Sequence, residues 1–226
     1  VCESNRMIAL LNQYSTEFPK MLYGTVGIHP HAASEFSNDS IADLRHLLAQ
    51  PGVVAIGETG LDFHRNLAPK EMQVKCFEAH LSLASEIELP LFMHEREASK
   101  LQIDILKNRR KDFSKGVIHC FTGDRQTLYQ YLDMDLHIGI TGWICDPRRG
   151  MPLQDLVADI PLDRLMIETD SPYLLPRNLA FPPKDGRNEP SFLPWVVSGI
   201  AACREESKEE IAEQTGKTAI KFFGLE

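Results

Sequence analysis

Four residues able to hold a divalent cation stand at the ends of four short apolar runs: Glu58 after VVAIG, His94 after LFM, His119 within GVIHCF and Asp170 after LMIET. Two imidazoles and two carboxylates form a mixed nitrogen and oxygen donor set suited to Mg²⁺, Mn²⁺ or Zn²⁺. Taken singly, each has a blander reading, because a polar residue at a strand end is commonly a hydrogen-bonded structural group. The set changes that balance. Each residue follows a run that belongs in a core, and four such groups brought together would be costly unless a cation compensated them.

A second cluster, Gly27-Ile28-His29-Pro30-His31, follows another apolar run. Pro30 fixes the backbone between the imidazoles and can hold them apart. His29 is read as a site residue that contacts phosphate or assists proton transfer, and His31 as a loop residue. His46, His64, His80 and His137 have no second ligand nearby in sequence and read as structural or surface groups.

Positioning these residues requires strands whose ends converge. Short β-branched runs alternate with amphipathic segments as far as residue 170, the pattern of repeated βα units. Six strands are predicted, over residues 22–28, 53–57, 91–94, 116–119, 136–141 and 164–169. In a parallel (β/α)8 barrel the C-terminal strand ends share one face, so residues a hundred positions apart can meet there. The fold class expected is α/β, with six strands making most of a (β/α)8 barrel, as one domain over residues 1–226. Between strands, Ser40 and Asp43 read as a helix cap and its acidic N3 partner. Phe77, Leu81 and Ala84 mark a helix ending before Pro90, and Ser207 with Glu210 caps the last helix, which Gly224 closes. The stretch Pro176 to Pro194 reads as an ordered loop over the top of the barrel.

Composition sets outer limits. With 226 residues and 43% hydrophobic content the chain can bury a substantial core. No apolar run approaches the length that crosses a bilayer, and the leading residues lack an export pattern, so a cytoplasmic or nuclear protein with no membrane partner is expected. A first residue of Val1, inside a predicted helix, is expected of a piece of a longer protein. The five cysteines form no CxxC pair and read as reduced core residues. The net charge of -8 argues against sequence-independent coating of DNA, but not against an enzyme that grips a few phosphates through bound cations.

The strings GIHPH (27–31), VVAIGETGLDFHRN (53–66), LPLFMHEREA (89–98), VIHCFTG (117–123), IGITGWICDPRRG (138–150), LMIETDSPYLLP (165–176) and RNEP (187–190), in this order, resemble the TatD-type metal-dependent deoxyribonucleases of the amidohydrolase superfamily. The resemblance runs from about Leu22 to the C-terminus. It implies a TIM-like (β/α)8 barrel, its first two strands missing from this chain, with Glu58, His94, His119 and Asp170 on its fourth, fifth, sixth and eighth strands, and a single metal-dependent hydrolase domain over residues 1–226. The family's opening strand-helix-strand, with its HxH motif, is not found here, Glu95 stands where Cys is frequent, and Thr218 replaces a common Asn.

The resemblance also implies a substrate and a reaction: a 3′ end of single-stranded DNA, with RNA a further possibility, trimmed to mononucleotides by phosphodiester hydrolysis. Magnesium is the cation expected, with Mn or Zn as alternatives. It would be held by Glu58, His94, His119 and Asp170, polarise a phosphate oxygen and lower the pKa of water. Asp170 is the expected general base, and Glu58 the carboxylate able to bridge two ions. For phosphate, Arg96, Arg148, Arg149, Arg177 and Arg187 lie in predicted loops, with Arg187 and Asn188 the preferred pair and Arg96 and His29 beside them. Trp143 and Tyr173 offer rings for stacking on bases. Two other readings compete: an amidohydrolase or deacylase of small substrates, since the same donors serve both chemistries, and a truncated interaction protein. In the latter, exposed sheet edges would favour association, so a homo-oligomer is an open expectation.

Overall fold

Each of the six predicted runs forms a strand, and amphipathic helices separate them. The computed structural model describes residues 1–225, which divide into two units. The first spans residues 1–117 with the last few residues from Phe223 onward, and the second residues 118–222.

The first unit runs α1 (Cys2–Tyr14), β1 (Gly24–Val26), α2 (Asn38–Leu48), β2 (Val53–Asp62), α3 (Lys70–Ile87), β3 (Leu91–Arg96) and α4 (Ser99–Asn108), then enters β4 (Gly116–Ile118). β1 pairs in parallel with β2, and β2 in parallel with β3. Parallel neighbours need a crossover, and the helices between them supply it. Strand residues Val26, Ala55, Ile56, Leu91 and Met93 are fully buried. Against them α3 lays a stripe at helical spacing, Phe77, His80, Leu81 and Ala84. Full burial of Phe77 or Leu81 contributes about 1.5–3 kcal/mol each. The helix stops where Glu88 turns left-handed (φ 59°), two residues before Pro90.

The second unit carries α5 (Arg125–Asp133), β5 (His137–Ile140), α6 (Met151–Gln154), β6 (Leu165–Ile167), α7 (Leu193–Ala201) and α8 (Lys208–Phe223). β5 and β6 pair in parallel, with Ile138, Ile140 and Leu165 fully buried. The cap of α8 is as expected: Glu210 N–H donates to Ser207 Oγ (3.2 Å) and Ser207 N–H to the Glu210 carboxylate (3.3 Å). Gly224, at φ 68°, follows it.

Three local expectations shift. β2 runs five residues beyond Gly57, to Asp62. The cap of α2 is Ser37, whose N–H donates to Ser40 Oγ (3.1 Å), so Ser40 is the third helical residue. Of the cysteines, only Cys76 is buried; Cys2 is exposed, and Cys120, Cys145 and Cys203 are intermediate. All five are free thiols. Among the described residues no helix is long and apolar enough to cross a membrane.

Candidate active site

In the first unit the end of β2 is built to aim side chains. Gly57 pairs with Phe92 and Thr59 with Met93, leaving Glu58 as an extra residue in a bulge. A bulge re-aims the residue it carries, which here brings Glu58 Oε1 to 2.8 Å from His94 Nδ1 and 3.4 Å from His29 Nε2. Two residues on, Gly60 adopts φ 135°, and a Cβ there would overlap the carbonyl oxygen of His94. Only glycine permits that approach of β2 to β3.

Asp62 ends the strand and is 2% exposed. Its Oδ2 lies 2.6 Å from His31 Nε2 and 3.2 Å from His94 Nε2, and its Oδ1 accepts the Arg65 N–H at 2.7 Å. Burial alone pushes its carboxyl up, but the Arg65 and His31 hydrogen bonds and the charges of His94 and His31 outweigh burial and hold it below the ordinary value. The Glu95 carboxyl goes the other way: its burial dominates although Ala98 N–H donates to it, and it is raised.

Three buried polar side chains from the helices fix these strand ends. Gln73 of α3 accepts the Asp62 N–H (2.8 Å) and donates to the Asp62 carbonyl (3.1 Å). Gln102 of α4 accepts the Leu61 N–H (3.0 Å). His80, wholly buried, accepts the Ile28 N–H at Nε2 (3.0 Å) and donates from Nδ1 to the Cys76 carbonyl (2.7 Å). Desolvation drives its pKa down to about 4, so at neutral pH it is the neutral imidazole those two bonds require. Its expected structural role is the one found.

His29, His31 and His94 thus stand together, each offering a ring nitrogen within 4.8 Å of the others. The ring centroids of His29 and His31 are 4.2 Å apart and those of His29 and His94 4.7 Å. The expectation that Pro30 separates the pair is corrected. Residues Pro30–Glu35 form a 3-10 turn, and His31 N–H donates to His29 Nδ1 (3.1 Å), which folds the second imidazole back over the first. Three imidazoles beside two carboxylates supply the donors of a divalent-cation site. Arg96 is the last residue of β3.

The second unit also holds a group of candidate donors. His119 Nε2 faces Asp170 Oδ1 at 3.6 Å, and Cys120 completes a trio whose donor atoms lie within 4.8 Å of one another. Two ligand atoms each about 2.1 Å from one ion stand about 3–3.5 Å apart, so the His119 and Asp170 pair also fits a cation. Asp170 adopts φ 56°, a left-handed conformation that Asp tolerates, and its side chain is one-third exposed. His119 Nδ1 meets Glu168 Oε2 at 2.8 Å.

Asn188 does not have the expected substrate-facing role. It is 1% exposed, and its amide donates to the carbonyls of Thr169 and Tyr173, each at 2.8 Å, while its Oδ1 accepts the Glu189 N–H. With these polar atoms occupied, it ties down the turn that carries Asp170. Arg187 beside it is exposed, with its N–H on Asp185. Arg149 and Arg177 converge instead on buried Asp146, at 3.1 and 3.0 Å. The Arg148 N–H and the Arg149 N–H and guanidinium hold the Asp146 carboxyl well below the usual range. Arg149 also lies over the Trp143 ring, 4.4 Å from its centroid, so Trp143 is stacked on a side chain of its own loop. Tyr173 is 70% exposed.

Strand ends bearing imidazoles and carboxylates on parallel βα units are the arrangement of a metal-dependent hydrolase, and the family and relatives of this chain place it among the nucleases, which act on phosphodiester bonds. The chain belongs to the family described as TatD related DNase, which it matches over residues 2–224. It is 49% identical over 209 residues to the 3′-5′ ssDNA/RNA exonuclease TatD of Rahnella sp., covering 92% of this chain and 80% of that protein. It is 48% identical to the protein of the same description from Erwinia amylovora, covering 99% and 85%. Among solved structures it is similar to YJJV, a TatD homolog from Escherichia coli K12 (TM-score 0.85, 28% identity, 97% of this chain and 82% of that one). It is likewise similar to a TatD family hydrolase from Entamoeba histolytica (TM-score 0.88, 26% identity, 100% and 82%). The fold class is that of these proteins, the TIM-like α/β barrel.

Asp62, His31 and Glu168 were not singled out as ligands or their partners from sequence. The string GLDFH held the signal for Asp62, since a strand continued past Glu58 carries a second carboxylate.

Proposed function

We propose that the chain is a divalent-cation-dependent 3′ to 5′ exonuclease that removes mononucleotides from single-stranded DNA, and from RNA, in the cytoplasm. The observation that carries this reading is an imidazole and carboxylate cluster in each unit, in a chain nearly half identical to curated 3′-5′ ssDNA/RNA exonucleases.

In the first unit His29, His31 and His94, with Glu58 and Asp62, are the residues that would hold a cation. In the second they are His119 and Asp170. Magnesium is the proposed ion, and manganese or zinc would also suit the imidazole nitrogens. When bound, such a cation polarises a phosphate oxygen and makes water more acidic.

The chain's own groups do the rest. Glu58, placed by its bulge, accepts from His94 Nδ1 and leaves Nε2 turned toward Asp62. Asp170, held by the turn that Asn188 ties down, takes the proton of the attacking water, a role suited to a fixed carboxylate that solvent still reaches. Arg96 and Arg187 are the proposed phosphate contacts, with His29 at the scissile group.

The test uses one single-stranded oligonucleotide labelled at its 3′ or 5′ end, with magnesium. Immediate release of labelled mononucleotide from the 3′ label, and a ladder of shortening products from the 5′ label, is the expected result. Release from the 5′ label first, or hydrolysis of a cyclic amide panel with DNA left intact, would overturn the reading.

A further inference from the structure

We propose that Arg149 and Arg177, held together by the buried carboxylate of Asp146, form a subsite for an internucleotide phosphate on the 5′ side of the scissile bond; this rests on the proposed hydrolysis of single-stranded nucleic acid. Asp146 is 2% exposed, and both guanidiniums close on its Oδ2. Arg149 donates to it from Nε at 3.2 Å and from Nη2 at 3.1 Å, and Arg177 forms an ion pair with it through Nε at 3.0 Å. Asp146 Oδ1 accepts the N–H groups of Arg148 and Arg149, at 2.9 and 3.1 Å. One carboxylate balances one guanidinium, and among the described residues no other acid pairs with Arg149 or Arg177. A positive charge is left over where both side chains stay more than half exposed. Each guanidinium carries five N–H donors in a planar fork, and those that Asp146 does not take suit the oxygens of a phosphate.

The place of the pair in the fold points to the substrate's own strand. Residues Gly142–Cys145 form a 3-10 turn directly after β5. Just before it, Thr141 Oγ1 lies 3.4 Å from Cys120 Sγ, and the Cys120 N–H donates to the Glu168 carboxylate at 3.0 Å, so the exits of β4, β5 and β6 meet here. Gly142 lets the turn press on the segment that follows Asp170: a Cβ there would overlap the Leu174 carbonyl oxygen and crowd Pro176, the residue before Arg177. Trp143 Nε1 donates to the Arg149 carbonyl at 3.1 Å while the Arg149 guanidinium lies over its ring, which fixes both ends of the arginine. A side chain already held in this way loses little freedom when it binds. In a chain of net charge -8, such a local cation favours the approach of a phosphate backbone. At a 3′ end every internucleotide phosphate other than the scissile one lies on the 5′ side, and the subsite takes one of these.

The test is binding of a fluorescent single-stranded DNA oligonucleotide, in EDTA at low salt and read by anisotropy, with one linkage at a time near the 3′ end made an uncharged methylphosphonate. Arg149→Ala and Arg177→Ala are each expected to weaken binding roughly tenfold and to flatten its logarithmic salt dependence by about 0.7. One of the neutral linkages should cost the unaltered chain a similar factor and cost either variant little, a coupling that a purely structural arginine does not show. Circular dichroism melts check that each variant folds, and Arg177→Ala carries the test if Arg149→Ala loosens its loop. The proposal is overturned by an unaltered chain that binds no oligonucleotide, by folded variants that bind as tightly as it does, or by neutral linkages that cost the unaltered chain and both variants alike. Binding that shows the coupling, in a chain that digests no DNA with magnesium, would overturn the proposed function and leave the subsite standing.

Discussion

Asp62 lies 2.6 Å from the His31 ring through a carboxylate that is almost wholly buried. The same oxygen reaches His94, so one acid at the end of β2 orders imidazoles from two segments. Asp62→Ala is expected to weaken manganese binding by roughly 10–100-fold, measured by titration calorimetry. An affinity within twofold of the unaltered chain would show that the histidines are held by other means.

His80 sets a pH dependence of stability. Its pKa falls from 6.5 to about 4 on folding, so between those values the unfolded chain binds the proton and the folded chain does not. Its contribution is complete above pH 6.5 and is lost as pH falls toward 4. The difference amounts to about 3 kcal/mol. Urea melts at several pH values should show a steeper loss over this window in the unaltered chain than in His80→Gln; equal slopes would count against it.

Gly60→Ala tests the close passage of β2 and β3. The left-handed φ and the overlap with the His94 carbonyl are expected to cost about 2–4 kcal/mol. In a chain of this size that lowers Tm by roughly 5–15 °C. An unchanged melting temperature would mean that the strands separate readily at this point.

The thiols should divide by environment. Burial pushes Cys76 up to about 12, and burial with the neighbouring Cys203 does the same to Cys145. Both are protonated and slow at neutral pH, whereas Cys2 is exposed. Mass spectrometry after brief iodoacetamide treatment is expected to find Cys2 modified and Cys76 intact until denaturant is added. Early modification of Cys76 would contradict its packing.

The six strands were legible because β-branched runs and turn residues are local signals, and so were the caps of α8 and the stop before Pro90. Glu58, His94, His119 and Asp170 were legible as polar residues placed immediately after core runs. The role of Asp62 was not, because it depends on a bulge at Glu58 that sequence periodicity does not reveal. The closeness of His31 to His29 was hidden for a related reason: a 3-10 turn reverses the separation that Pro30 suggests. Asn188 shows the opposite error, since only the fold reveals that the carbonyls of Thr169 and Tyr173 and the Glu189 N–H occupy its amide. Glu168 was hidden because its partners, His119 and Cys120, lie 49 and 48 residues earlier in the chain.

The proposed hydrolysis of single-stranded DNA ends falls to residues at the strand ends. Its most direct test is release of mononucleotides from an end-labelled oligonucleotide with magnesium or manganese, comparing the unaltered chain with Glu58→Ala, Asp170→Asn and an EDTA control. Digestion that EDTA abolishes and that falls at least roughly 100-fold in each variant is the expected result. Digestion that survives EDTA, or that persists in the folded variants, would contradict the account.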